Sequence, residues 1–309
     1  MSSSYEILDP RFSKLIVGHA QLERLWTGGR WVEGPVYVPA ARSLLWSDIP
    51  NDRLMRWDEC DGSVSVFETP CGFHNGHTTD GEGRVVACEH GRRRVSRLDH
   101  DGVWRALATR VGGRRLNSPN DVVVRSDGSV WFTDPTYGID SHYEGHRSPS
   151  ELEGRCHVYR LDPSSGAVEA MVTDMVRPNG LAFSPDERVL YVSDTGSSHD
   201  PDLVPGVRAY PIGADGRPGA GADFARVPRG VVDGFRCDSN GNLWASSRDA
   251  VCVFTPDGTH IGSIPVPEVV SNLCFGGPKR NRLFITAQTS LYAIYVNAHA
   301  ATWTDPDEE

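Results

Sequence analysis

Six residues with oxygen-bearing side chains recur in phase along the chain: Glu33, Asn75, Asn120, Asn179, Asp233 and Asn272. Each opens a short apolar run, and all but Asn120 and Asn272 precede a glycine. Two carboxylates and four amides brought together would make a ring of hard oxygen donors. Such a ring suits Ca²⁺ or Mg²⁺, and Mn²⁺ as a third choice. Asn or Asp before Gly is also an ordinary turn pair, so a single occurrence carries little. Six phased occurrences point to a repeat, and Glu33 is not a turn residue. Fourteen or fifteen residues after these positions stand Asp48, Glu89, Asp134, Asp194, Ser247 and Ala287. Four of them are acids at the ends of apolar runs, and they are expected to form a second set of polar groups around the same pocket. His74, His77 and His90 cluster near the second unit, and His90 is the best placed for function because it follows Glu89. No GxSxG nucleophile elbow, P-loop or GxGxxG motif occurs.

The elements that must position these groups are strands. Helical periodicity is nearly absent, and runs such as SLLWSD, RVVACE, SVWFTD, VLYVSD, NLWASS and RLFITA are separated by Asp-Gly, Asn-Gly and Pro-Asp turns. The units read EGPVYVPAARSLLWSD, NGHTTDGEGRVVACE, NDVVVRSDGSVWFTD, NGLAFSPDERVLYVSD, DGFRCDSNGNLWASS and NLCFGGPKRNRLFITA. Each has room for four strands, so the repeat predicts an all-β fold, a six-bladed β-propeller of four-stranded antiparallel blades. The sixth unit lacks a fourth strand. QLERLW (21–26), which precedes the first unit, is expected to supply it and close the ring. The expected domains are an N-terminal extension (1–20), the propeller (21–297) and a C-terminal tail (298–309). Longer insertions after Pro135 and Asp194 are expected on the ligand face.

Composition narrows the function classes. With 31 Lys+Arg against 41 Asp+Glu, the 309-residue chain has a formal charge of −10 and would repel nucleic acid and anionic membranes. No run of eighteen apolar residues and no secretory signal is visible. Seven cysteines without a CxxC pair predict reduced thiols and a cytoplasmic location.

The ordered set EGP (33–35), SPND (118–121), PNG (178–180) and DG (233–234) resembles the regucalcin (senescence marker protein)/gluconolactonase family. The resemblance covers nearly the whole chain. It implies a propeller with one divalent metal, Ca²⁺ in first place with Mg²⁺, Mn²⁺ or Zn²⁺ as alternatives. Glu33, Asn179 and Asp233 would be the ligands. It implies hydrolysis of a sugar lactone, glucono-1,5-lactone or a related aldonolactone. Asp233 is the first candidate base, and Asp134 or His90 the alternative. Asn120 would contact substrate or a bound water, and Asn75, Asp134, Tyr137, Asp194 and Asn272 would line the sugar pocket, with His90 beside it. Ser118 stands where animal members carry Arg. The expected partner is a small-molecule sugar lactone, with no nucleic acid or membrane, and the expected state is a monomer or homodimer. A phosphotriesterase-like hydrolase on the same propeller and a non-enzymatic interaction scaffold are the alternatives. The converging ligand set argues against the scaffold.

Overall fold

The computed structural model describes residues 5–301. Blade one comprises Val32–Val38, Ser43–Asp48, Arg53–Asp58 and Val64–Glu68, and blade two His74–Thr79, Val85–Glu89, Arg94–Leu98 and Trp104–Ala108. Blade three comprises Val122–Val124, Val130–Thr133, Val158–Leu161 and Val168–Val172. Blade four is Pro178–Phe183, Val189–Asp194, Gly206–Pro211 and Ala222–Ala225. Blade five is Phe235–Cys237, Leu243–Ser246, Ala250–Phe254 and His260–Pro265. Blade six uses Val270–Gly276, Arg282–Ala287 and Ser290–Tyr295, and takes Glu23–Thr27 as its outer strand. The expected closure by the N-terminal strand is therefore observed. The first strand of each blade packs against the first strand of the next, and that of blade six against that of blade one. This is a closed six-bladed propeller.

The sequence forms this ring because each blade is covered on both faces. Second strands such as SLLWSD and VVACE are buried end to end, with an apolar centre. Outer strands such as VSVFE alternate loosely and face solvent. Six apolar clusters fill the six spaces between neighbouring blades. Trp46, Trp131 and Trp244, all on second strands, are fully buried in three of them. No blade can bury both faces alone, so the clusters form only when the ring closes.

Residues 5–20 pack against the ring. Glu6–Ile7 adds a fifth strand to blade five, and Phe12 is fully buried with Tyr5 edge-on to it at 6.4 Å. Gly262 makes the space: a Cβ there would lie 2.2 Å from Phe12 Cδ1. At the other end, Ala300 bridges to Asp238, and residues 302–309 of the expected tail lie outside the described residues. Phe12→Ala is expected to lower the unfolding free energy by about 3–5 kcal/mol in urea titration, the usual range for emptying a buried Phe site. An unchanged midpoint would show that the segment does not contribute to the fold.

Candidate active site

The first strands start at one mouth of the central channel, which opens as a cavity of about 410 Å³. Glu33, Asn75, Asn120, Asn179 and Asp233 line it. Hydroxyls on neighbouring blades hold their backbones. Ser47 Oγ donates to Asn75 O (2.9 Å), Thr133 Oγ1 to Asn179 O (2.7 Å), and Ser193 Oγ to Asp233 O (2.9 Å). Ser271 Oγ donates to Val32 O (2.6 Å), across the closure of the ring. Where the ring residue is followed by glycine, neighbouring first strands come so close that a side chain there has no room. A Cβ on Gly180 would sit 2.3 Å from Asp233 O, and one on Gly34, at φ 54°, only 1.9 Å from Asn75 O. That is why these units read Glu-Gly and Asn-Gly.

Asn272, the sixth member of the ring, does not line the cavity. It is buried behind Glu33, donating from Nδ2 to Glu33 Oε2 (3.1 Å) while its Oδ1 accepts from Leu273 N–H. It orients an acid rather than facing a ligand.

The strand-end acids overturn a second expectation. Asp134 and Asp194 do not line the cavity; they latch the loop that enters their own blade. Asp134 Oδ2 accepts from Asn117 N–H at 2.8 Å, three residues before Asn120. Asp194 accepts from Val176 and Arg177 N–H at 2.8 and 3.0 Å, just before Asn179. Asp48 accepts likewise from Arg30 N–H at 2.9 Å, three residues before Glu33. Glu89 is buried among Arg92, Arg94 and Ser96, and Arg92 carries the link on to Cys71 O. The turn-capping role of Asp has won at these positions, because a buried loop amide needs an acceptor.

His90 also sits one layer back, fully buried, with Nε2 3.2 Å from Asn75 Nδ2 and Nδ1 3.0 Å from Glu144 O. It does not line the cavity, contrary to its expected place beside the sugar pocket. His74 and His77 are interior residues of the channel wall, and His77 Nδ1 bonds Gly34 O at 2.7 Å. Ser118 is buried between Pro135 O and Gly138 N–H. Tyr137 does line the cavity. Its hydroxyl is held by Thr195 and Ser198, and Arg177 lies over its ring at 5.0 Å.

Glu144 was missed by sequence reasoning. It lies in the insertion after Pro135, which carries no repeat pattern, yet the insertion folds over the mouth and places Glu144 in the cavity wall. Thr195 and Ser198, from the insertion after Asp194, join it there.

The mouth is crowded with acid. Burial, and then the facing Asp233 and Asp121, push the Glu33 carboxyl well above its usual range. Burial, then Glu144 and Asp121, push Asp233 up to about 7, while hydrogen bonds from Asn179 and Glu33 pull the other way. Burial pushes Glu144 up to about 7 as well. Below them Asp121 pairs with Arg236 (Nη1–Oδ2 3.2 Å). Among the described residues, no three His, Cys, Asp or Glu side chains are gathered for a metal ion. A cation here would therefore take amide as well as carboxylate oxygen. Glu33, Asp233 and Asn179, joined through hydrogen bonds to Asp233, offer two carboxylates and an amide. This is a hard-donor set of the kind Ca²⁺ accepts. A second cavity of about 460 Å³ opens at the far ends of the same strands, walled by Val36, Tyr37, Val123, Phe183 and Phe275, without the acids of the ring.

The burial of Asp134 has a measurable signature, which the latch hydrogen bonds oppose. Burial holds its carboxyl up at about 7, against 3.8 for a free one. The folded protein thus binds a proton there that the unfolded chain has released. Stability from this group is complete below about pH 4 and is lost as pH rises through about 7. In Asp134→Asn that loss is absent. The unfolding free energy of the variant relative to wild type should rise on the order of 1.4 kcal/mol per pH unit across that window. Parallel profiles for the two proteins would show that Asp134 does not titrate there.

The chain is similar in sequence and in shape to known proteins. A gluconolactonase of Zymomonas mobilis is 30% identical over 92% of this chain and 84% of its own length. A 6-deoxy-6-sulfogluconolactonase of Pseudomonas putida is 32% identical over 82% of each chain. A solved gluconolactonase of Xanthomonas campestris is 40% identical over 94% of each chain and superposes with a TM-score of 0.88. The model of the SMP-30/gluconolactonase/LRE-like region matches residues 31–289, most of the chain, and the protein belongs to that family.

Proposed function

We propose that the protein hydrolyses a sugar lactone, glucono-1,5-lactone or a related aldonolactone, to the aldonic acid, with one divalent cation, Ca²⁺ first, at the channel mouth. The observation that carries this reading is the meeting of Glu33, Asn179 and Asp233 in one cavity. Family membership and relatives that act on gluconolactone-type substrates support it. The cavity, about 410 Å³, is large enough for a single sugar ring.

In this reading Glu33, Asn179 and Asp233 would hold the cation, which would polarise the lactone carbonyl and offset its developing negative charge. Asp233, whose carboxylate lies in the same cavity, would accept a proton from the attacking water. The water oxygen bonds to the carbonyl carbon and the ring C–O bond breaks. The former ring oxygen takes a proton and becomes the free hydroxyl of the acid. Asn75, Asn120 and Glu144 offer hydrogen bonds to the sugar hydroxyls, and the Tyr137 ring forms one wall. Because a single chain supplies every one of these groups, either a monomer or a homodimer would suffice. A reducing cytoplasm fits seven unpaired cysteines, six of them buried. Among the described residues, no helix is long and apolar enough to cross a membrane.

Turnover of an aldonolactone panel, followed by acid release, should be lost in excess chelator and restored by Ca²⁺. Full activity in chelator would remove the cation from the reaction, and no turnover of any lactone would remove the activity. Asp233→Asn should lower kcat by about 10²–10⁴-fold, the range for loss of a general base. An unchanged kcat would assign the base elsewhere.

A further inference from the structure

The hydrogen bonds of His90 fix more than its own position. Its Nδ1 faces the backbone oxygen of Glu144 at 3.0 Å, and a carbonyl oxygen can only accept. Nδ1 must therefore carry a proton. Burial pushes this imidazole down to about 4, so the ring is neutral near pH 7 and its Nε2 holds a lone pair. The group 3.2 Å from that lone pair is the Asn75 amide, which must then donate through Nδ2. Asn75 Oδ1 takes no hydrogen bond from the described residues, and Asn75 lines the cavity.

We infer that His90 is a positioning residue that fixes the amide orientation of Asn75, so that Asn75 turns its oxygen to the cavity and accepts a hydrogen bond from one hydroxyl of the substrate. The inference rests on the lactonase reading for the identity of that substrate. The opposite orientation would place an NH₂ group in the cavity and set two lone pairs against each other at either Nε2 or Nδ1. The same ring also seats the insertion. A Cβ on Gly138 would lie 2.5 Å from His90 Cβ and Cγ, so the loop carrying Glu144 rests directly on the imidazole. One buried side chain thereby couples a repeat-derived wall of the cavity to a wall built by a non-repeating loop.

The tautomer can be read in the wild-type protein. In ¹⁵N–¹H spectra at neutral pH, His90 should carry its proton on Nδ1 and none on Nε2; an Nε2–H tautomer overturns the inference. Kinetics test the consequence. His90→Leu removes the acceptor, and the KM for the preferred aldonolactone should rise on the order of five- to tenfold, the value of one hydrogen bond, with kcat changed much less. Across a series of monodeoxy lactones, one member should lack this penalty, because it lacks the hydroxyl that Asn75 receives. His90→Gln, which keeps an acceptor, should recover part of the loss. An unchanged KM, or an equal rise for every lactone in the series, would overturn the inference. Wild-type protein that turns over no lactone overturns the lactonase reading and the substrate clause with it, while the tautomer still decides the orientation of Asn75.

Discussion

The structure depends on one kind of contact: the backbone carbonyl of a ring residue bonded to a hydroxyl of the adjacent blade. Ser47, Thr133 and Ser193 each stand one residue before a strand-end Asp, and each reaches the next blade's ring residue. The neighbouring Asp turns back and latches the loop entering its own blade. A two-residue Ser/Thr-Asp unit thus sets both the spacing between blades and the entry angle of each inner strand. The side chains at the mouth inherit their positions from these bonds. Closure by Glu23–Thr27 makes the constraint mutual, since no blade can shift without moving its neighbours.

That rigidity lets the protein hold acids where they repel. Glu33, Asp233 and Glu144 share one mouth, with Asp121 beneath them paired to Arg236. Water would relax such a cluster by letting the side chains swing apart. Here the strand starts are fixed, and burial and mutual repulsion instead raise the proton affinity of the group. A site with this much stored repulsion is suited to a divalent cation, whose charge would offset it.

Much of the fold was legible from residue order alone. Alternating turns and apolar strands, repeated six times, allow few architectures, and the missing outer strand of the last unit left QLERLW as its replacement. The ring residues were legible because they recur in phase, and five of the six line the cavity. The strand-end acids were equally phased and misled for that reason. Phase shows that a residue does the same job in every blade, and latching a loop is as repetitive a job as lining a pocket. Which of the two Asp134 and Asp194 perform depends on whether a loop amide lies within reach. That amide is close in space through the hairpin but carries no mark in the sequence. Glu144 was hidden for the opposite reason, since its insertion has no repeat to compare it with.

The sequence by itself determined the all-β propeller, its closure and the identity of the groups converging on one end of the channel. These follow from the strand period, the turn residues and the count of units, all of which are local or additive properties of the chain. Only the tertiary structure decided which way each polar side chain faces. It turned Asn272 and His90 from contacts into supports, withdrew Asp134 and Asp194 from the cavity, and brought Glu144 in. The physical reason is that every buried donor and acceptor must find a partner, and those partners are assigned between blades, across residues far apart in the chain.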